Sequence, residues 1–591
     1  MPMTGTDEGG SVKAYKIRTR LGAPLIMAMI GLSFAGCTPT LQAQEQPQGQ
    51  TKSLADLTPM TSSPMGHYLA ARQAQADRRN SEAADLLAVT LAKDPDNPEL
   101  LNVSYLLLAS EGRLSEAAQV AEHIQKVQPD SPTAGVILAW RDIKKNDLKA
   151  ADAELAKLSD DGVNKIIVPM VRAWLAQGMG QTDAGLTQLA RLNSINGLQP
   201  IINLHRALIE DQAGRIKPAD EDYGKLVTAE AGTLRVVQLV GNFYQRQGRD
   251  QDAKKLYDAF VEENSESLVL EPEMKGVSTG TKPAPIVATP VDGIAESFFN
   301  IASLLAREQI LDTAMVFERI ALDLKPDYPI AQTLLAELLI NDGRTQDAIE
   351  VYEAIPKSSP FSWQARIDEA RALDDLGKTD DALKLLDGMI AERPERYDAA
   401  LAKGNILRSH EQFADAAKAY EVAVARVPEL KRRHWSLLYF RGITYERSKQ
   451  WPLAEADFQK ALALEPEQPY VMNYLAYSWV ERREHLPEAF TMLKRAVELK
   501  PDDGFIVDSL GWAYYQQGQY DKAVEYLERA VELEPVDATI NDHLGDAYWR
   551  VGRKTEARYQ WQRSLQFGPE PDHLQPLQAK IKDGLGAPSG S

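Results

Sequence analysis

From about residue 64 to residue 569 the apolar positions fall at helical spacing and are interrupted at regular intervals by polar turns. Ala523, Leu527, Ala530 and Val531 lie on one face of a helix with 3.6 residues per turn, so each such stretch predicts an amphipathic helix packed on its neighbours. The small residues within these stretches are periodic too. Ala83, Ala117, Ala151, Gly185, Ala219 and Ala253 are spaced by 34 residues, and after an interruption the series resumes at Ala314, Ala348, Ala382, Ala416, Ala454, Ala489, Ala523 and Ala557. A second series, from Ala71 to Gly545, lies twelve residues earlier, or thirteen in the repeat that holds Ala489, and is Ala or Gly in every repeat except the one with Tyr105. A third series of prolines, among them Pro95, Pro326, Pro501 and Pro535, stands twelve residues after the first, and the four repeats from Ala151 to Ala253 lack it.

Two helices approach closely only where small residues occupy the crossing point, and the first two series supply one on each helix. Proline has no N–H and clashes with the preceding turn, so the third series stops the second helix. Gly343, Gly377, Gly518 and Gly552 fall between the helices, where a tight turn needs a permissive backbone. The fold class expected is all-α: an α-solenoid, a superhelix of about fourteen helical hairpins whose concave groove is lined by first helices. Residues 64–264 hold repeats one to six and residues 294–569 repeats seven to fourteen. Between them, Ser265 to Gly293 carries four prolines among Gly, Thr and Ser and reads as an irregular loop, either a plain surface insertion or a strap lying in the groove. Residues 570–591 read as a capping helix, from Pro571 to Leu585, and a tail.

Leu510-Gly511-x-x-Tyr514, Gly518, Ala523, Leu527, Ala530 and Pro535 resemble the tetratricopeptide-repeat (TPR) signature, and Leu544-Gly545-x-x-Tyr548, Gly552, Ala557 and Pro569 resemble it again. The resemblance spans residues 64–569, is stronger in the last eight repeats than in the first six, and implies a protein-interaction scaffold.

Composition narrows the partners. With 85 acidic and 66 basic side chains the net charge is −19, which repels the phosphate backbone of nucleic acid. The single cysteine, Cys37, excludes an intramolecular disulfide or a thiolate metal site. It follows a basic patch (Lys13, Lys16, Arg18, Arg20) and an apolar run from Leu21 to Ala35, the layout of a signal peptide over residues 1–36. Leu32-Ser33-Phe34-Ala35-Gly36-Cys37 resembles a bacterial lipobox, with Phe34 where that pattern favours Leu. The resemblance implies that Cys37 is lipidated and, with Thr38 rather than Asp after it, that the chain is held at the outer membrane facing the periplasm. An uncleaved anchor helix is the alternative, and so short an apolar run is marginal for spanning a bilayer. Residues 37–63, rich in Gln, Thr, Ser and Pro, read as a flexible tether.

No nucleophile elbow, zinc-protease, P-loop or dinucleotide motif is present, so neither catalysis, a cofactor nor a metal is expected. Asp94 to Glu99 superficially resembles a calcium loop but lacks its central Gly and final Glu. Candidate chemistry lies in the groove. The repeat phase places Tyr439, Asn473, Tyr477, Asp508, Trp512, Tyr515, Asp542, Asp546 and Trp549 there, a set of aromatics and acids suited to a partner with a basic or amide-rich surface. The runs Asn473 to Tyr477, Asp508 to Trp512 and His543 to Trp549 are similar to the C-terminal part of proteobacterial outer-membrane TPR lipoproteins. That resemblance implies an adaptor that docks a periplasmic, PDZ-containing serine protease of the carboxyl-terminal processing type and delivers cell-wall hydrolases to it. A non-proteolytic scaffold for polysaccharide export or cell-wall synthesis needs the same anchor and groove.

Overall fold

The computed structural model describes residues 63–128, 134–228, 233–264 and 267–586. The leader, Cys37 and the tether as far as residue 62 lie outside the described residues. The described residues form thirty α-helices and no strand, a solenoid of hairpins. Twenty-eight of the helices pair into fourteen hairpins, from Pro64–Ala76 with Asn80–Leu91 to Ala538–Arg550 with Lys554–Gln566. The other two are Glu271–Thr279, between hairpins 6 and 7, and Pro571–Asp583, after hairpin 14.

The reason these residues pair is visible at the crossing points. Every alanine of the first series, from Ala83 to Ala557, is 0% exposed. At three of the first-helix glycines, the second helix answers with an aromatic ring four positions after its own alanine. A Cβ on Gly241 would sit 2.3 Å from the Tyr257 ring, on Gly442 2.6 Å from Phe458, and on Gly545 2.4 Å from Trp561. The missing methyl makes room for a ring, which exchanges a small contact for a large buried apolar area.

Each hairpin turn contains a residue in the left-handed region, two in hairpin 12 where His485 joins Arg483, and these residues form a further ladder. It includes Gly112, Gly180, Gly214, Gly248, Gly343, Gly377, Gly518 and Gly552, but also Arg78, Asn146, Gln309, Glu411, Lys449 and Arg483. A side chain in this conformation costs about 1 kcal/mol, so tertiary packing, rather than glycine, enforces the turn in six hairpins.

The chain falls into two compact units, divided after Ile406 within the helix formed by residues 398–409. The N-terminal unit, described from residue 63 to 406, coils until hairpin 7 meets hairpins 2, 3 and 4. The first helix of hairpin 7, Pro290–Arg307, packs on the first helix of hairpin 4, Asn164–Gly178, and its second, Leu311–Leu324, packs on the first helix of hairpin 2, Pro98–Ser110. Arg319 donates to the Ser110 carbonyl at 3.1 Å, and Arg344 pairs with Glu111 at 2.6 Å. The C-terminal unit runs from Leu407 through hairpin 14 to the final helix.

The segment read as an irregular loop is more ordered than its composition suggests. It holds the helix Glu271–Thr279, and hairpin 7 begins at Pro290 rather than after Gly293. Thr289 and Asp292 form a capping box, with Thr289 Oγ1 accepting from the Asp292 N–H at 3.1 Å and Asp292 accepting from the Thr289 N–H at 2.8 Å. Pro290 occupies the first helical turn, where its missing donor costs nothing.

Candidate protein-binding groove

The nine groove residues predicted from repeat phase sit three before, one after or four after the small residue of their first helix. In hairpins 3 to 6 the same positions include Val136, Trp140, Met170, Trp174, Leu208, Gln238, Asn242 and Gln245. In the N-terminal unit this face is covered by the chain itself. Trp140 Nε1 donates to Asp323 at 2.9 Å, and Trp174, 0% exposed, packs against the backbone of Gly293. Gln238 donates to Glu273 at 3.2 Å, and Asn242 donates to the Ala284 carbonyl at 2.8 Å. The inserted segment and hairpin 7 therefore occupy the groove of hairpins 3 to 6.

A buried polar cluster fastens this covering. Arg235 donates to both oxygens of Glu296, with Nε contacts of 3.0 and 3.2 Å, and Tyr328 donates to Glu296 at 2.6 Å. Trp174 Nε1 donates to His205 Nδ1 at 2.9 Å, so Nδ1 is an unprotonated acceptor. Burial pushes His205 from its ordinary 6.5 down to about 4, against the opposing pull of the Glu296 carboxylate. Glu318, fully buried with neither oxygen partnered, is driven far up by burial and by Glu296. Because the imidazole is depressed in the fold, its contribution is complete above pH 6.5 and is lost as pH falls from 6.5 toward 4, about 3 kcal/mol in all. His205→Gln is expected to lack that component. Urea unfolding of the two proteins at pH 7 and pH 4.5 checks it, and parallel losses would remove His205 from the account.

In the C-terminal unit the predicted row divides. Tyr439 is core: it is 7% exposed, with ring contacts of 6.1 Å to both Phe458 and Tyr474. The phase reading is corrected there, because aromatic neighbours on both adjoining helices close over the ring. Asn473 is 6% exposed, and its Oδ1 has no hydrogen-bond partner. Asp508 is buried and accepts from His543 Nδ1 at 3.0 Å. Burial works against charge on His543, but the Asp508 carboxylate outweighs it and holds the imidazole above its ordinary value. His543 stacks on Trp512 at 4.0 Å, and Trp512 stacks on Tyr515 at 4.7 Å.

At hairpin 14 the row is covered by the chain's own tail. Lys580, on the final helix, reaches Asp542 at 2.8 Å and Asp546 at 2.9 Å. Burial, reinforced by Asp542, raises Asp546 to about 6, and Trp561 Nε1 also donates to it at 2.9 Å. Trp549 Nε1 donates to the Leu585 carbonyl at 3.0 Å, and its ring fills the space that a side chain on Gly584 would need. Tyr477, Trp512 and Tyr515 thus remain partly exposed and free of that covering. Two neighbours were missed: Glu446, at the same phase four after Gly442, accepts from Tyr474 at 3.1 Å, and Glu481 accepts from Trp512 Nε1. The phase rule itself would have found Glu446.

Residues 367–430 and 509–571 match one tetratricopeptide-repeat family model, and residues 304–373 match a second. Over these residues the chain carries tetratricopeptide repeats. Its TPR array is a scaffold for protein interaction. The TPR chain is also similar to solved structures. They include the APC/C hetero-tetramer Cut9–Hcn1 (15% identity over 89% of this chain and 98% of that one, TM-score 0.37) and yeast Tom70 (14% identity over 88% and 95%, TM-score 0.31). A TPR protein from Parabacteroides merdae is 16% identical over 42% of this chain and 96% of its own, with a TM-score of 0.35. No curated protein matches the sequence. Among the described residues no group of three or more His, Cys, Asp or Glu could hold a metal ion, and no helix is long and apolar enough to cross a membrane.

Proposed function

We propose that this TPR chain is a non-catalytic adaptor of the bacterial envelope, anchored at the outer membrane through lipidated Cys37, with its working groove on hairpins 12 and 13. The observation that carries the reading is the partly exposed row of Tyr477, Trp512 and Tyr515. It stays uncovered while the equivalent faces of hairpins 3 to 6 and 14 are taken by the chain itself. Partly exposed aromatics flanked by acids are the usual energetic anchors of protein interfaces. The lipobox and the likeness of this region to protease-docking lipoproteins support a periplasmic carboxyl-terminal processing protease as one partner, with cell-wall hydrolases as delivered substrates.

Affinity capture from membranes with the full chain, followed by mass spectrometry, tests the assignment. Recovery of a PDZ-containing serine protease is the expected result, and its consistent absence alongside export or cell-wall synthesis proteins points to a non-proteolytic envelope scaffold. Trp512→Ala is expected to lower partner recovery at least about tenfold with unchanged helicity. Undiminished recovery would remove the groove from the proposal.

A further inference from the structure

We propose that the concave face of hairpins 11 to 13 takes a lysine- or arginine-bearing peptide segment, its cationic head received between Glu446 and Glu481 beside the Tyr477 ring. The inference rests on the groove reading above and specifies the chemistry of its occupant.

The groove carboxylates fall into two groups. Asp508 has the His543 imidazole as its ion-pairing partner when that ring is protonated, and Asp542 and Asp546 share Lys580. Glu446 and Glu481 are different: their donors are the Tyr474 hydroxyl and the Trp512 indole N–H, both neutral, and neither carboxylate has an ion-pair partner among the described residues. The adjacent Arg447 pairs with Glu570 at 3.5 Å and lies over the Phe413 ring. Tyr477 lies among these charges. Burial, then Glu481, Asp508, Glu446 and Glu570, raise its hydroxyl well above the usual range. An ammonium or guanidinium group placed there gains two carboxylates and an aromatic face, whereas an anion would meet only repulsion.

A second observation concerns Asn473, one turn before Tyr477 on the same helix. Its side chain is 6% exposed, yet its Oδ1 has no hydrogen-bond partner. A buried polar atom left in this state is costly unless a donor arrives, and a peptide N–H or a cationic N–H is such a donor. The chain itself displays the mode of binding two repeats further on. Lys580 sits between Asp542 and Asp546, at the positions equivalent to Asn473 and Tyr477, and beyond the helix end the Leu585 and Gly586 carbonyls accept from Trp549 and Arg550. One cation together with two backbone carbonyls is what this phase of the array holds.

The test uses the full chain and a fluorescein-labelled octapeptide of alternating lysine and alanine, with a glutamate-for-lysine peptide as its counterpart, read by fluorescence anisotropy. The lysine peptide is expected to bind and the glutamate peptide not to. In the double variant Glu446→Gln, Glu481→Gln, whose amides still accept from Tyr474 and Trp512, affinity is expected to fall at least about tenfold. Glu525→Gln with Glu532→Gln, which removes two exposed charges from the second helix of hairpin 13, is expected to bind like the parent and so separates a specific site from the general negative field. Circular dichroism checks that each variant is folded. Equal affinity in the groove variant and the outer-face variant, or no binding of the lysine peptide at millimolar concentration, overturns the proposal. If Trp512→Ala still releases captured partners in that event, the groove stands and only its cationic occupant falls. If it does not, both readings fall together.

Discussion

Glu296→Ala is expected to destabilise the N-terminal unit by about 4 kcal/mol, the cost of stranding one half of a buried ion pair. Arg235 is 8% exposed and has Glu296 as its salt-bridge partner, so its charge would stay in the interior without compensation. Tyr328, 2% exposed, would lose the acceptor of its hydroxyl in the same step. The three residues come from hairpin 6, hairpin 7 and the turn before hairpin 8, so their loss should loosen the seat of hairpin 7 rather than one helix. Urea unfolding together with hydrogen exchange over residues 290–307 reads both effects. Arg235→Met with Glu296→Met is expected to recover much of the loss, because burying two apolar side chains avoids the desolvation of both charges. A single-variant cost below about 1 kcal/mol would mean that apolar packing alone seats hairpin 7.

Gly293→Val should cost about 3 kcal/mol by overpacking. A Cβ there would lie 2.2 Å from the Trp174 ring, which is fully buried and fixed by its bond to His205, so the helix Pro290–Arg307 must lift from the concave face. Limited proteolysis near residues 280–289 should then accelerate. Gly388→Ala is the control: it lies inside a helix with nothing within 4 Å of its Cβ, and the exchange is expected to be neutral or stabilising by about 0.5–1 kcal/mol. A Gly293→Val protein as stable as the Gly388→Ala control would show that Trp174 does not need the glycine.

The local architecture was legible because it depends on residues a few positions apart. The alanine ladders set the crossings, and every one of those alanines is sealed. The left-handed turn ladder was half hidden, since Arg78, Gln309, Glu411 and Lys449 do not advertise that conformation and only their register with the glycines does. The insertion reads as irregular from sequence because prolines and glycines are scattered along it, while Thr289-Pro290-Val291-Asp292 is a helix start. The groove is the clearest case. Phase alone identifies which face of a first helix points inward, but not what covers it. Trp140, Trp174 and Asn242 are covered by residues arriving from hairpin 7 and the insertion, and Asp542 and Asp546 by Lys580. Such pairings join positions that no short window of sequence connects.

Hairpin 7 and the turn of hairpin 8 close over hairpins made long before them: Arg319 meets Ser110 across 209 residues of chain, and Arg344 meets Glu111 across 233. The early repeats therefore emerge, from the ribosome or from a translocation channel, well before their cover does. During that interval the apolar surface around Trp140, Met170 and Trp174 is unsheltered, so nascent chains of this protein should depend on holdase chaperones to a degree that an array of independent repeats would not.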